Sequence, residues 1–321
     1  MGLVTHHFLF KTEVKTPLVL DEHSGSALRG NLFEAVWRRF CTNKDSPTCA
    51  ECPLHAMCPV SALVAPLREE NIRGRDIPRP YIIIPPVEGA RCYAPGETLT
   101  FGLTLFGKIV ELLPYIILSL PMLETVGLGR KVKEADWRRG MFTIKSIEAY
   151  HPLRQERQVI YEAGRAQVTV APLAVSMADV KEKAETLPAD TITLDFLTPT
   201  RLIEQEHPVS HAEFRPLIHR LLERFHALEG EYGVGDEHEL LATQQYVELA
   251  EQIRCVHDAT YWEDVGSYSR RTRRLTPIGG IRGRATFTGN LLPFRSLLVW
   301  GELIHVGKNA VKGNGWYTIT S

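Results

Sequence analysis

Apolar positions recur along the chain with two periods. Around residues 28–40, Leu28, Leu32, Ala35, Val36 and Phe40 follow helical spacing, with Ser24 and Ser26 as cap residues and Arg38 and Arg39 near the end. Phe214, Leu217, Ile218, Leu221, Leu222, Phe225 and Leu228 repeat at i, i+3, i+4 and i+7, the stripe of an amphipathic helix. Further helices are predicted over 109–123, 239–254 and 294–304. Segments rich in β-formers fall between them: 4–20, 78–86 around YIII, 98–106, 140–150, 191–197 as ITLDFL, 255–269 and 275–289.

Each half therefore approximates strand, helix, strand, strand, helix, strand. Two such copies predict an α+β chain of tandem ferredoxin-like (RRM-like, βαββαβ) domains. The acidic, alanine-rich stretch 177–189 reads as the boundary, giving an N-terminal domain over 1–185 and a C-terminal one over 190–321.

A length of 321 residues suits two domains, and 44% apolar with 23% charged residues excludes collagen-like or largely disordered classes. The longest apolar run, 109–123, is interrupted by Glu111, Pro114 and Pro121, so no membrane span is expected. The N-terminus lacks the pattern of a secretory signal, and a cytoplasmic protein is expected.

With 37 basic and 38 acidic residues the net charge is −1, which provides no long-range attraction for polyanions. Arg270, Arg271, Arg273, Arg274, Arg282 and Arg284, however, lie in a stretch without an acidic residue. That stretch is either a local phosphate-binding patch or a solvated strand face. Gly279, Gly280 and Gly283 among these arginines, and Gly307, Gly313 and Gly315 with Lys308 and Lys312, could bring backbone N–H groups close to a phosphate. No GxxxxGK[ST] loop is present. Tyr268 and Trp316 are aromatic candidates for stacking on bases.

Cys41, Cys49, Cys52 and Cys58 form C-x7-C-x2-C-x5-C, enough thiolates for a structural zinc or an iron–sulfur cluster, the alternative being a loop of free thiols. Cys92 and Cys255 stand apart and are expected to be buried in strands.

GSALRG at 25–30, PRPYIIIPP with YAPGETLTFGLTLFG, LDFLTPTRL at 194–202, SYSRRTRRLTPIGGIRG and HVGKNAVKGNGWYTI at 305–319 together resemble the CRISPR-associated repeat-processing endoribonucleases of the RAMP superfamily. The likeness is to the branch with a cysteine-containing N-terminal insert, and Asn314 departs from the apolar residue usual between the last two glycines. The resemblance implies binding of CRISPR precursor RNA repeats and one cut per repeat. It implies no cofactor for catalysis, a 2′-hydroxyl attack leaving 2′,3′-cyclic phosphate and 5′-hydroxyl ends, and association with other CRISPR effector subunits. A non-catalytic RNA-binding subunit of the same superfamily is the alternative.

Histidine suits the proton transfers and lysine or arginine the developing charge. His23, beside Gly25 and Arg29, is the first catalytic candidate; His305 with Lys308 is the second; His6 and His7, of which strand alternation turns one outward, come third. His207, His211, His219 and His226 read as solvated helix or loop positions.

Overall fold

The computed structural model describes residues 2–66, 77–165, 173–234, 243–269 and 274–320. Val4–Val175 with Glu231–Val234 form one unit; Ser176–Gly230 and the chain from Gly235 onward, with the first three residues, form the other.

In the N-terminal unit β1 (Thr5–Val14) leads to α1 (Gly25–Phe40), α2 (Pro59–Val64), β2 (Tyr81–Ile84), β3 (Thr98–Phe106), α3 (Leu113–Leu118), α4 (Leu120–Val126), β4 (Phe142–His151) and β5 (Glu156–Glu162). The antiparallel sheet runs β2-β3-β1-β4-β5, and Ala174–Val175 pairs with Thr5 and His6 where β4 no longer reaches. Helix α1 buries Leu28, Leu32, Ala35 and Val36. Its buried Asn31 donates from Nδ2 to the carbonyls of Leu123 (3.1 Å) and Gly127 (3.0 Å), tying α1 to the end of α4.

The C-terminal unit contains α5 (Met177–Glu185), β6 (Thr191–Thr200), α6 (Phe214–Tyr232), α7 (Thr243–Ala250), β7 (Arg254–Glu263), β8 (Gly280–Thr288), α8 (Arg295–Ile304) and β9 (Tyr317–Thr320). Its sheet order is β7-β8-β6-β9, all antiparallel. With strands counted along each copy, both sheets carry the fourth-first-third-second order of the ferredoxin-like motif. The predicted stripe of α6 is no more than 3% exposed at any of its seven positions. Phe225 there meets Trp300 of α8, with ring centroids 5.5 Å apart.

Several sequence expectations are corrected. Residues 4–20 are not one strand: β1 ends at Val14, and Leu18–Leu20 pairs separately with Arg91–Tyr93 after Pro17, which has no N–H to donate. Ser24 occupies the cap position of α1, yet its hydroxyl makes no capping bond. The helix expected over 109–123 is a 3-10 turn followed by α3 and α4, because Pro114 and Pro121 each lie in the first turn of a new helix. The stretch 177–189 carries a helix that its composition did not predict. Ser176 and Asp179 form a capping box that starts α5, and α5 packs against α8. The segments 255–269 and 275–289 each break in two, with Gly266–Ser269 and Arg274–Pro277 forming a hairpin of their own. Cys92 and Cys255 do lie in strands, but both are exposed.

No single helix among the described residues is long and apolar enough to cross a membrane. The pair Gly107–Leu118 and Leu120–Val126 passes only together and bends by 61°. Leu113, Ile116, Leu120 and Leu123 in this pair are buried in the core.

Glu302 on α8 accepts a hydrogen bond from the Ile319 amide (2.6 Å), and burial pushes its carboxyl up to about 7, with the Ile319 bond and the charge of Lys183 opposing. A folded-state value above the unfolded one means that the native state holds the extra proton, so this group's contribution to stability declines as pH rises from about 4.5 to about 7. Glu302→Gln, which keeps an acceptor for Ile319, is expected to match the parent near pH 4.5 and to exceed it by about 3 kcal/mol at pH 8. Urea unfolding at the two pH values checks this, and a gain equal at both would refute it.

Candidate functional site

Two places gather the predicted chemistry. The first is the entry to α1. His23 lies half-buried in the turn before the helix, and Arg29 follows on its second turn. The Nε of Arg29 is buried without a hydrogen-bond partner, and the buried Tyr81 hydroxyl lies next to the Arg29 guanidinium. Burial pushes the Tyr81 phenol up, while the charges of Arg29 and Arg79 act in the opposite direction.

The second is the loop from His305 to Trp316. Here β6 stops pairing with β8 after Phe196 and resumes only at Thr200, and over the same residues the loop continues, on the other edge of β6, the hydrogen bonding that β9 makes up to Phe196. Thr198 Oγ1 donates to the Gly313 carbonyl (2.8 Å) and accepts from the Trp316 amide (2.9 Å). The Gly315 amide donates to Pro199, the Lys308 amide to Arg201 and the Val306 amide to Gly315. Thr198 and Arg201 are thus the residues that sequence reasoning missed. Their signal was Pro199, which cannot continue a central ladder.

This arrangement revises the expected role of the glycines. The amides of Lys308, Lys312, Gly313 and Gly315 are used within the protein rather than left for a ligand. Gly307 and Gly315 have φ of +78° and +72°, and a Cβ on either would stand 2.4 Å from the Arg201 carbonyl oxygen or 1.8 Å from that of Val306. Gly279 and Gly280 are likewise packed against the backbone of Glu263 and Thr200. Asn314 is buried and donates to the Ile278 carbonyl (2.9 Å), so the polar residue at this position is satisfied inside the fold.

The histidines separate by burial. His305 is wholly buried; its Nδ1 donates to the Asn314 carbonyl (3.2 Å), its ring stacks on Trp316 at 5.8 Å, and its Nε2 has no partner. Burial, reinforced by the charge of Arg224, lowers it to about 3, against the bonds to Asn314 and Gly313. A neutral, enclosed imidazole serves as a packing group. His6 and His7 are both buried, contrary to the expectation that one faces outward. His7 meets Thr5 Oγ1 (2.9 Å), Thr104 Oγ1 (3.0 Å) and the ring of Tyr150, and burial lowers His6 to about 4. His207 and His211 are exposed, while His219 is half-buried against Glu204 (3.3 Å) and His226 is half-buried on α6.

Lys308 is exposed and Lys312 half-buried. Arg284 pairs with Asp195 (2.7 Å) and Arg282 with Glu263 (3.3 Å) on the open side of the C-terminal sheet. Arg274 opens a hairpin strand, while Arg270, Arg271 and Arg273 lie outside the described residues. Trp316 is half-buried on His305, and Tyr268 lies in the strand Gly266–Ser269. Cys41, Cys49, Cys52 and Cys58 are all half-buried in the segment between α1 and α2.

A pair of ferredoxin-like units, the second closed by a glycine-rich loop, is the architecture of RNA-processing proteins of the RAMP type. Residues 3–173 match the family model AF_1859_N, described as an N-terminal domain, and residues 194–317 match that of the CRISPR-associated endoribonuclease Cas6. Over residues 194–317 the chain carries the domain of the CRISPR-associated endoribonuclease Cas6. A Cas6 product complex is similar with a TM-score of 0.54 at 14% identity, covering 98% of this chain and 99% of that one. Thermus thermophilus Cas6 gives 0.52 at 14% over the whole of both chains. A partial Cas6-RT-Cas1–Cas2 complex gives 0.59 at 12%, covering 99% of this chain and 46% of that one. At these identities the three likenesses concern the fold. No curated protein matches the sequence.

Proposed function

We propose that this endoribonuclease acts in the cytoplasm on the repeats of a CRISPR precursor transcript, cutting once in each without a metal in the reaction. The observation that carries the reading is the Cas6 match over 194–317, which spans β6, the sheet and the glycine-rich loop. Other CRISPR proteins are its expected partners, as the complex containing Cas6, RT, Cas1 and Cas2 suggests.

In this reading the ribose 2′-hydroxyl at the cut site loses its proton and attacks the adjacent phosphorus. The bond to the 5′-oxygen breaks and that oxygen takes up a proton, leaving a cyclic phosphate on one product and a hydroxyl on the other. His23 is the proton-transfer group, because it is half-exposed while His305, His6 and His7 are enclosed. Arg29 and Lys308 supply positive charge toward phosphates, with Lys312 and the arginines from 270 to 284 holding the strand. The loop of Gly307, Gly313 and Gly315 gives Lys308 a fixed platform. The four-cysteine insert contributes no group to the reaction.

The test is incubation of the purified protein with its neighbouring repeat RNA in EDTA. One cut per repeat with a cyclic phosphate end is expected. Tight binding without a cut, or a cut that requires added Mg2+, overturns the proposed mechanism.

A further inference from the structure

Between α4 and β4 the N-terminal unit extends an antiparallel hairpin, Leu128–Val132 against Arg138–Gly140. Its base is fixed in the fold. Leu128 is wholly buried, and a Cβ on Gly129, at φ +80°, would stand 2.1 Å from the Val19 carbonyl oxygen, so only glycine lets this strand lie flush on Leu18–Leu20. The tip is the reverse, with Trp137 67% exposed.

A lone exposed apolar residue is ordinary on a protein surface. Three features set this one apart. Its backbone is unfavourable: Asp136 and Trp137 follow one another at φ +52° and +56°, a region that bulky side chains avoid and that glycine or asparagine would occupy without strain. The turn is nonetheless held, by bonds from the Asp136 amide to Lys133 (3.0 Å) and from the Trp137 amide to Val132 (2.9 Å). Its charge is also set against that of the molecule. Arg130, Lys131, Lys133, Arg138 and Arg139 face only Glu134 and Asp136 within the hairpin, in a chain whose net charge is −1. Lys131, Lys133 and Arg138 are exposed and make no ion pair with a described residue. Finally, Arg130 pairs with Asp21, two residues before His23. The flank of the hairpin therefore adjoins the candidate site of its own unit and neutralises a carboxylate beside it.

We propose that this hairpin is a separate RNA contact, in which the Trp137 indole stacks on an unpaired base near the cut and Lys131, Lys133 and Arg138 hold the neighbouring phosphates. An indole presents a π-face to any base, and it requires a base that is not enclosed in a helix, so the segment bound is single-stranded. That the RNA is a CRISPR precursor rests on the function proposed above; the contact itself does not depend on which group cuts.

The full-length protein is titrated with a short fluorescent unpaired RNA, and separately with the same sequence as a duplex, by anisotropy. Trp137→Ala is expected to weaken binding of the unpaired RNA about 10-fold, the usual loss of one base stack, with the duplex affinity kept. Trp137→Phe, which retains a ring, restores most of it. Lys133→Ala with Arg138→Ala lowers the slope of log affinity against log salt by about 1.4, the value for two phosphates of a single strand. Trp137→Asn separates binding from folding: it loses RNA as alanine does, yet raises the unfolding midpoint because asparagine tolerates the left-handed backbone. Leu118→Ala, an apolar side chain of the same unit that is 55% exposed, leaves RNA affinity unchanged. Parental affinity in Trp137→Ala, or an equal loss on the duplex, would overturn the proposal. So would loss of binding to anionic phospholipid vesicles with RNA affinity intact, which would assign the tip to a membrane surface. Repeat RNA left uncut while Trp137→Ala still weakens unpaired RNA would sink the proposed reaction and spare this contact; cutting by Trp137→Ala at parental affinity would do the opposite.

Discussion

His23→Ala is expected to slow single-turnover cleavage of the repeat RNA by about 10²–10⁴-fold while leaving RNA affinity nearly unchanged, the usual loss on removing a positioned proton-transfer group. His305→Ala gives the opposite pattern. Its imidazole is enclosed, bonded to Asn314 and stacked on Trp316, so its removal costs stability, and the molecules that remain folded cut at the parental rate. The two variants discriminate because both remove the same functional group from opposite kinds of surroundings. The measurement is the cleavage rate at saturating protein, beside the unfolding midpoint of each variant. Parental cleavage by His23→Ala would exclude His23 from the reaction. A rate loss confined to His305→Ala at full folding would transfer the role to the C-terminal loop.

The sequence was readable where one physical rule dominated. The seven-residue stripe of α6 and the alternation ITLDFL translate directly into a buried helix face and a half-buried strand, since each side chain needs only to be in or out. Elements failed where local backbone chemistry overrode the pattern. Pro17, Pro114 and Pro121 divide runs that are continuous in hydrophobicity, and the Ser176–Asp179 capping box starts a helix in the acidic, alanine-rich stretch read as the boundary.

The site was harder to read. The sequence shows twelve histidines but not their burial, and burial is what separates His23 from His305 and from the His6–His7 pair. Arginine clustering likewise hid the cross-strand carboxylates: Asp195 lies 89 residues from Arg284 in sequence yet pairs with it. The insert inverts the usual rule. Its cysteines were legible as a spacing, whereas the outward turn of Leu54 and Met57 could be seen only in the structure.

Gly315→Val is expected to cost more than about 4 kcal/mol and to abolish RNA cleavage along with the fold of the C-terminal loop. Gly315 sits at φ +72°, a conformation that β-branched residues avoid, and the first carbon added would lie 1.8 Å from the Val306 carbonyl oxygen. The obstacle is backbone, so no rotamer relieves it. The chain must give up the Val306–Gly315 bond and then the bond from Gly315 to Pro199. Those bonds hold the loop along the end of β6, so the strain reaches Thr198 and releases Gly313 and Trp316 together. Gly230→Ala is the control in the same unit: it lies on α6 with no heavy atom near an added Cβ, and alanine there should raise stability by about 0.5–1 kcal/mol. Opposite signs for the two glycines in one denaturation series would establish that the loop glycines are retained for backbone packing. A mild effect of Gly315→Val on unfolding, with RNA binding lost, would instead show that the backbone at 315 contacts the RNA directly.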